Sequence, residues 1–281
     1  MNRLALATAF ALLAFAANSL LCRMALRDTA IDPASFTSVR LIAGAIMLWL
    51  ISSIRSRSSS VGGSWSSAFA LLGYAIGFSF AYVAVTAGTG ALLLFGAVQL
   101  TMISFGVASG ERVNVWIVVG WLLAATGLII LVMPGLSAPP PLQAVFMLSA
   151  GVAWGIYSLR GRASTNALRD NAGNFIRAVP GALAMSALYW AHSSIDPKGV
   201  GLAVLSGALA SGVGYAFWYA ALPRLKAIAA ANLQLTVPVI ASFGGIILFG
   251  EPITVRLVAA SVLLLGGVAL ATRQVMRPRN D

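Results

Sequence analysis

Apolar residues gather into ten stretches along the chain, near 4–22, 33–54, 66–86, 88–108, 114–133, 141–159, 172–191, 199–222, 227–249 and 254–272. A helix of about 20 apolar residues crosses the roughly 30 Å of bilayer hydrocarbon. Short polar or turn-forming segments separate the stretches. Arg55-Ser56-Arg57-Ser58, Asp196-Pro197-Lys198 and Pro223-Arg224 are examples, and the turns at Ala87-Gly88 and Gly250-Glu251-Pro252 are very tight. The pattern predicts an all-α integral membrane protein of ten transmembrane helices.

The ten stretches repeat as two sets of five. Phe15-Ala16-Ala17-Asn18-Ser19-Leu20 returns as Trp154-Gly155-Ile156-Tyr157-Ser158-Leu159. Arg40 with Gly44-Ala45 returns as Arg177 with Gly181-Ala182. Gly77, Phe80, Tyr82 and Ala84 return as Gly214, Phe217, Tyr219 and Ala221. Gly110-Glu111 with Gly127 returns as Gly250-Glu251 with Gly267. The offsets of 139, 137, 137 and 140 residues hold in order over four segments, which scattered chance matches would not do. An odd number of spans per copy turns the second copy upside down, the architecture of many secondary transporters. The expected halves are therefore 1–136 and 137–281, inverted and joined by the Pro-rich stretch 134–141. The N-terminal run, with Arg3 ahead of it and Ala16-Ala17 behind, has the look of a cleaved signal peptide. Its partner at 154–159 lies deep inside the chain, so it reads as a retained first span.

Composition agrees with membrane residence. Hydrophobic residues make up 59% of the chain and charged ones 9%, against about 25% charged in soluble domains, and mean hydropathy is +0.91. The net charge of +11 does not imply nucleic acid, because the basic residues sit between apolar runs and set orientation. With the N-terminus inside, twelve Lys and Arg are cytoplasmic, against Arg23, Arg27, Lys198 and Arg256 outside. That asymmetry predicts both termini in the cytoplasm. Cys22 is the only cysteine, so no intrachain disulfide forms. The chain has no CxxC, HExxH, Walker or GxSxG motif and one histidine, His192. No metal, cofactor or enzymatic cluster is expected.

In inverted-repeat transporters the ligand site lies near the bilayer midplane between the halves, where polar groups are costly and face a cavity or the bundle interior. The candidates by depth and chemistry are Asn18, Phe78, Tyr82, Gln99, Trp154, Tyr157, Tyr215, Trp218, Asn232 and Gln234. Tyr74, Phe78 and Tyr82 recur every four residues and share one helical face. Such walls suit a ligand with an apolar part and a few polar handles. The plainer reading makes the aromatics packing or interface residues and the amides interhelical glue. Spans five and ten hold little beyond Trp116, Trp121 and small residues, and read as lipid-facing scaffold.

Three residues are gating candidates: Arg40, Arg177 and Pro238. The two arginines are repeat mates within spans, expected near opposite faces. Each reads as a gate or carboxylate attractor, or else as a snorkelling cation reaching headgroups or a helix end. Pro238 is expected to kink span nine and free carbonyls near residue 234. All seven acidic residues lie in loops, at span ends or at the terminus. No carboxylate or histidine reaches the membrane middle to carry a proton, and Glu111 and Glu251 read as helix-end structural residues.

The two Gly-Glu turns, each followed by a glycine-spaced last span, resemble the EamA repeat of the drug/metabolite transporter superfamily. They read Gly110-Glu111-Arg112-Val113 to Gly127 and Gly250-Glu251-Pro252-Ile253-Thr254 to Gly267. Trp154-Gly155-x-Tyr157 and Leu235-Thr236-x-Pro238 fit the same pattern, and Val98 departs from it where a proline would match Pro238. Within the superfamily the chain looks most like YddG-type exporters of aromatic amino acids, by length, span count and Gln99-Leu100-Thr101. The resemblance implies a bacterial inner-membrane exporter shaped as a basket of two five-helix halves. Joined to the neutral, aromatic middle, it leads to an expected exporter of small metabolites, amino acids foremost, working by alternating access without tight proton coupling. The alternative is a drug or quaternary-amine efflux pump, its aromatic faces holding the cation.

Overall fold

A computed structural model describes residues 3–55, 62–110, 115–135, 138–222 and 233–273. The described residues form helices and turns without strands. The rods are α1 (Arg3–Asp28), α2 (Pro33–Arg55), α3 (Trp65–Tyr82), α4 (Ala87–Ala108), α5 (Val115–Val132), α6 (Pro141–Arg162) and α7 (Ala167–Leu188). A short 3₁₀ turn (Trp190–His192) leads to α8 (Pro197–Ala221), α9 (Thr236–Phe249) and α10 (Val255–Arg273). Helices α1, α2, α4, α5, α6 and α8 are long and apolar enough to cross a membrane, and α9 and α10 are shorter apolar helices.

Side-chain oxygens start several rods by accepting the free N–H groups of a first turn. Ser64 accepts from Ser67 N, Thr86 from Thr89 N, Asn166 from Arg169 N and Asp196 from Gly199 N. Gly110 and Gly250, which end α4 and α9, have φ of 83° and 63°. That left-handed conformation closes a helix and is cheap only for glycine. The two Gly-Glu turns picked out in the sequence thus share one backbone requirement. The expected first span, 4–22, is longer in the structure, because α1 continues to Asp28.

The regular stretch of α9 begins at Thr236, with a turn at Leu235. Leu233 and Gln234 are helical and Leu235 keeps a right-handed helical backbone, so the N–H that Pro238 lacks is the one that would bond the Gln234 carbonyl. The one-residue turn at Leu235, between helical residues on both sides, lies where a proline at 238 interrupts the hydrogen-bond ladder. Asn232 lies outside the described residues.

Packing is helix against helix through small residues. Helix α3 lies on α6 and α1 lies on α8; α2 lies on α7 and α5 on α10; α2 also meets α8, and α3 meets α7. Helix α4 contacts α6, α9 and α5. In the α5–α10 pair, a Cβ on Gly127 would meet Ala260 O at 3.0 Å and Leu264 N at 3.1 Å. A Cβ on Gly267 would meet Gly120 O at 2.6 Å and Ala124 N at 3.0 Å. Neither position has room for a side chain, and the absence of one lets the two backbones touch. The outward faces of this pair carry exposed Val115, Val118, Leu122, Ile129, Val255, Val258 and Val262, an apolar surface suited to lipid.

The rods leave two ends. The α1–α2, α3–α4, α7–α8 and α9–α10 connections gather at one, here called the Glu251 end. The α2–α3 and α6–α7 connections meet at the other, the Arg160 end.

Candidate functional site

Aromatic rings fill the middle of the bundle. Phe15 of α1 stands edge-on to Trp154, Tyr215 and Trp218, with centroids 5.5–5.6 Å apart. Trp154 also meets Tyr74 at 5.0 Å and Tyr215 at 4.8 Å. Offset and edge-to-face rings of this kind attract beyond their area. They surround a closed cavity of about 10 Å³, lined by Phe15, Asn18, Ser19, Tyr74, Phe78, Leu94, Phe95, Trp154 and Tyr215. That is room for one water at most. The centre is occluded.

A chain of polar groups runs along one side of the rings. Ser206 donates to Asn18 Oδ1 at 2.6 Å, and Asn18 Nδ2 donates to the Tyr74 hydroxyl at 3.1 Å. Arg40 Nη2 donates to the same hydroxyl at 3.0 Å, and Arg40 Nε to Ser211 Oγ at 3.4 Å. Ser206 and Ser211 both face inward because α8 is π-helical over Ser206–Val213. In an α-helix, residues five apart stand about 140° apart around the axis; the wider π turn brings them closer. On the opposite wall, Trp154 Nε1 donates to Gln234 Oε1 at 2.9 Å.

The Glu251 end is sealed. Both Glu251 carboxylate oxygens accept the backbone N–H of Ala87, at 2.8 and 3.0 Å, at the buried N-terminus of α4. Arg23 pairs with Glu251 at 3.4 Å and donates to the carbonyls of Tyr82 and Val83. Arg27 donates to Phe249 O at 3.0 Å. Asp32 N donates to Ser194 O, Ser194 N donates to the Asp32 carboxylate, and Asp196 accepts from Ala30 N. The helix-end reading of Glu251 holds, with the difference that the helix it serves is α4, 164 residues away.

The Arg160 end holds a vestibule of about 540 Å³. Arg160 donates to Ser67 Oγ at 2.9 Å, while Asp170 accepts from Ser164 and from Gly63 N. One cation and one anion therefore line the same mouth. Tyr219 forms part of the wall, and its hydroxyl donates to Tyr157 O at 3.2 Å. Tyr157 in turn donates to Asn171 Oδ1 at 2.5 Å. The Tyr157 and Tyr219 rings, 5.4 Å apart, stand between vestibule and centre.

The sequence candidates divide by location. Asn18, Phe78, Trp154 and Tyr215 line the central cavity. Gln234 and Trp218 are buried one contact away, on Trp154 and Phe15. Tyr157 is buried toward the Arg160 end, and Tyr82 toward the Glu251 end, where its carbonyl takes Arg23. Gln99 is fully buried on α4 outside the cavity lining. Pro238 lines a lateral apolar groove of about 300 Å³ among α4, α9 and α10. Arg177 donates to the carbonyls of Gly62 and Gly173, so it clamps the α2–α3 connection at the Arg160 end.

Arg40 corrects the snorkelling expectation. Its side chain is 1% exposed, and its guanidinium lies 5.2 Å from the Tyr74 ring centroid and 4.9 Å from that of Phe78. It reaches neither end of the bundle. Phe15, Ser206 and Ser211 were not among the binding candidates, and Tyr74 entered only as part of a shared helical face. For Phe15 a signal existed: it occupies the same position in the first copy as Trp154 in the second.

Comparisons with known proteins extend this picture. Residues 142–273 match the profile of the EamA-like transporter family. An uncharacterized Pseudomonas aeruginosa protein, PA1977, is 50% identical over 279 residues, 99% of this chain and 96% of its own. The uncharacterized transporter YoaV of Bacillus subtilis is 21% identical over 256 residues, covering 86% of this chain and 88% of that protein. A crystal structure of a protein 18% identical in sequence aligns with a TM-score of 0.70 over 98% of this chain and 99% of its own. At that identity the likeness is one of fold.

Proposed function

The chain belongs to the EamA-like transporter family, and from that premise we propose that it exports small zwitterionic metabolites, amino acids with apolar or aromatic side chains foremost, across a bacterial inner membrane. As a transporter of small molecules it must turn one site toward two sides. The observation that carries the proposal is the asymmetry around one buried aromatic centre: hydrogen bonds and an ion pair close the Glu251 end, and a vestibule opens at the Arg160 end. By the positive-inside asymmetry the vestibule faces the cytoplasm, the side from which an exporter loads.

Two inverted halves, 1–136 and 137–281, account for the packing. Exchanging mates turns the α3–α6 contact into α8–α1 and the α2–α8 contact into α7–α3, and both members of each pair occur. Under the 140-residue offset, the contact of Gly127 with Ala260 and Leu264 becomes that of Gly267 with Gly120 and Ala124. These reciprocities support an inverted repeat and, with it, alternating access.

The chemistry of the walls supports the proposed substrate class. Rings of Phe15, Trp154 and Tyr215 suit an apolar side chain, while Asn18 and the Tyr74 hydroxyl suit polar handles. The mouth, with Arg160 and Asp170, offers both signs of charge to a zwitterion. The quaternary-amine alternative is weakened because the faces of Tyr74 and Phe78 already hold the Arg40 cation. The acidic residues all lie outside the span centres, so no carboxylate proton carrier is at hand. YddG-type export of aromatic amino acids is the nearest specific form of this reading.

Counterflow of labelled amino acids into proteoliposomes, with and without a pH gradient, tests the proposal. Saturable flux indifferent to the gradient is the expected result. Flux confined to lipophilic cations and accompanied by proton movement would overturn it.

A further inference from the structure

Among the described residues, Arg40 is a buried cation without an anion. The ion pairs among the described residues are Arg23–Glu251 and Arg27–Asp28, both at the Glu251 end. Around Arg40 the protein supplies two neutral acceptors, the hydroxyls of Tyr74 and Ser211, and the faces of two rings. The ionisable groups that act on it are Tyr74, Tyr215 and Cys22, none of them a carboxylate. Nη1 is buried and has no hydrogen-bond partner among the described residues. A guanidinium in a low-dielectric interior is costly until its donors and its charge are matched. Natural structures leave few such groups unmatched, and the exceptions mark a bound partner or a functional role.

The position of this donor is informative. Arg40 does not line the central cavity, but the two rings it rests against, Tyr74 and Phe78, do. A cavity of about 10 Å³ holds no metabolite, so loading requires its walls to part. When Tyr74 and Phe78 yield, the group behind them is the free edge of Arg40. The local backbone is arranged around this point as well. A Cβ on Gly207 would collide with Arg40 O, so α8 is drawn against α2 at this residue, within the π-helical stretch that carries Ser211.

We propose that Arg40 Nη1 is the anchor for a carboxylate on the transported molecule. The anchor rests on the reading of the aromatic centre as the substrate site and specifies its charge. A carboxylate oxygen accepts from Nη1, supplying both the missing acceptor and the missing negative charge. The Tyr74 hydroxyl and Ser211 hold the other side of the fork, so the guanidinium is oriented before the substrate arrives. An amine without a carboxylate would add a second positive charge to the same pocket and be rejected.

Binding to the purified full-length protein in nanodiscs, followed by tryptophan fluorescence, separates the possibilities without any variant. The probes are L-phenylalanine, 3-phenylpropionate and 2-phenylethylamine, alike in ring and different in charge. The expected order is measurable binding of the two carboxylates and at least tenfold weaker binding of the amine; equal binding of the amine would overturn the anchor. Arg40→Gln is expected to weaken both carboxylates at least tenfold, and Arg40→Lys to keep the preference for carboxylate over amine. Should Arg40→Gln fail to fold, the wild-type probe series and Arg40→Lys still decide. If amino acids are transported and Arg40→Gln leaves their KM unchanged, the anchor fails and the exporter reading stands. If 3-phenylpropionate binds through Arg40 while no amino acid moves, the anchor stands and the exporter reading fails.

Discussion

Phe15 and Trp154 meet edge to face, with ring centroids 5.5 Å apart and planes at 84°. They stand 139 residues apart and begin corresponding segments of the two sequence copies. Under the inverted-repeat reading proposed above, a residue in contact with its own counterpart lies close to the axis between the halves. Phe15 also touches Tyr215 and Trp218, so two rings that line the occluded centre, Trp154 and Tyr215, rest on one side chain.

Phe15→Ala is therefore expected to abolish uptake into proteoliposomes and to lower the melting temperature, since removing a buried aromatic costs about 3–5 kcal/mol. Trp154→Phe keeps a ring and loses only the hydrogen bond to Gln234. It is expected to fold normally and raise KM with little change in kcat. A Phe15→Ala protein that transports at the wild-type rate would remove the rings from the site.

The closure at the Glu251 end can be read with the chain's own cysteine. Cys22 precedes Arg23, is 0% exposed and is the single thiol. Glu251→Ala removes the acceptor from Ala87 N and Arg23 together. A hydrogen bond to a charged group contributes about 1.5–3 kcal/mol, so opening and maleimide labelling of Cys22 should rise roughly ten- to a hundredfold. Unchanged labelling would mean that this end is held shut elsewhere.

Overpacking the α5–α10 contact should act from either side alike. Gly127→Leu and Gly267→Leu each force a side chain against the opposite backbone, a change that costs about 1–3 kcal/mol in a well-packed core. The double variant is expected to depart from additivity, because both changes part the same two helices. Thermal unfolding in detergent measures all three.

Stability against acid should depend on Asp196. Its carboxyl is held below the ordinary carboxylate range, first by the N–H of Gly199 and then by Thr29 and the N–H groups of Ala30 and Lys198, against a smaller opposing effect of desolvation. A depressed folded pKa means the stabilisation is complete above the unfolded value, about 3.9, and is lost as pH falls through the folded one. Wild type and Asp196→Asn should then melt in parallel from pH 5 to 8, with the gap between them narrowing below about pH 4. A gap independent of pH would assign the cap to the backbone alone.

Much of the fold was legible because span length and turn chemistry are local. The ten apolar runs and the left-handed glycines at 110 and 250 follow from single stretches of chain. Residue type and depth also singled out Asn18, Phe78, Trp154 and Tyr215, which line the cavity. Phe15 was missed because one phenylalanine among many apolar residues carries no mark except its counterpart. Arg40 was misjudged because depth along a span does not tell which way a long side chain turns, and its rings come from α3. The π-helical turn of α8 and the capping of α4 by Glu251 depend on partners far away in sequence.

The reciprocal contact of Gly127 and Gly267 has a mechanical meaning. Under the exchange of halves proposed above, most contacts turn into different ones, so the molecule must break them to face the other side. A contact between counterparts turns into itself. Helices α5 and α10 can then keep their grip throughout the cycle, a stator embedded in lipid against which the rest of the bundle rocks.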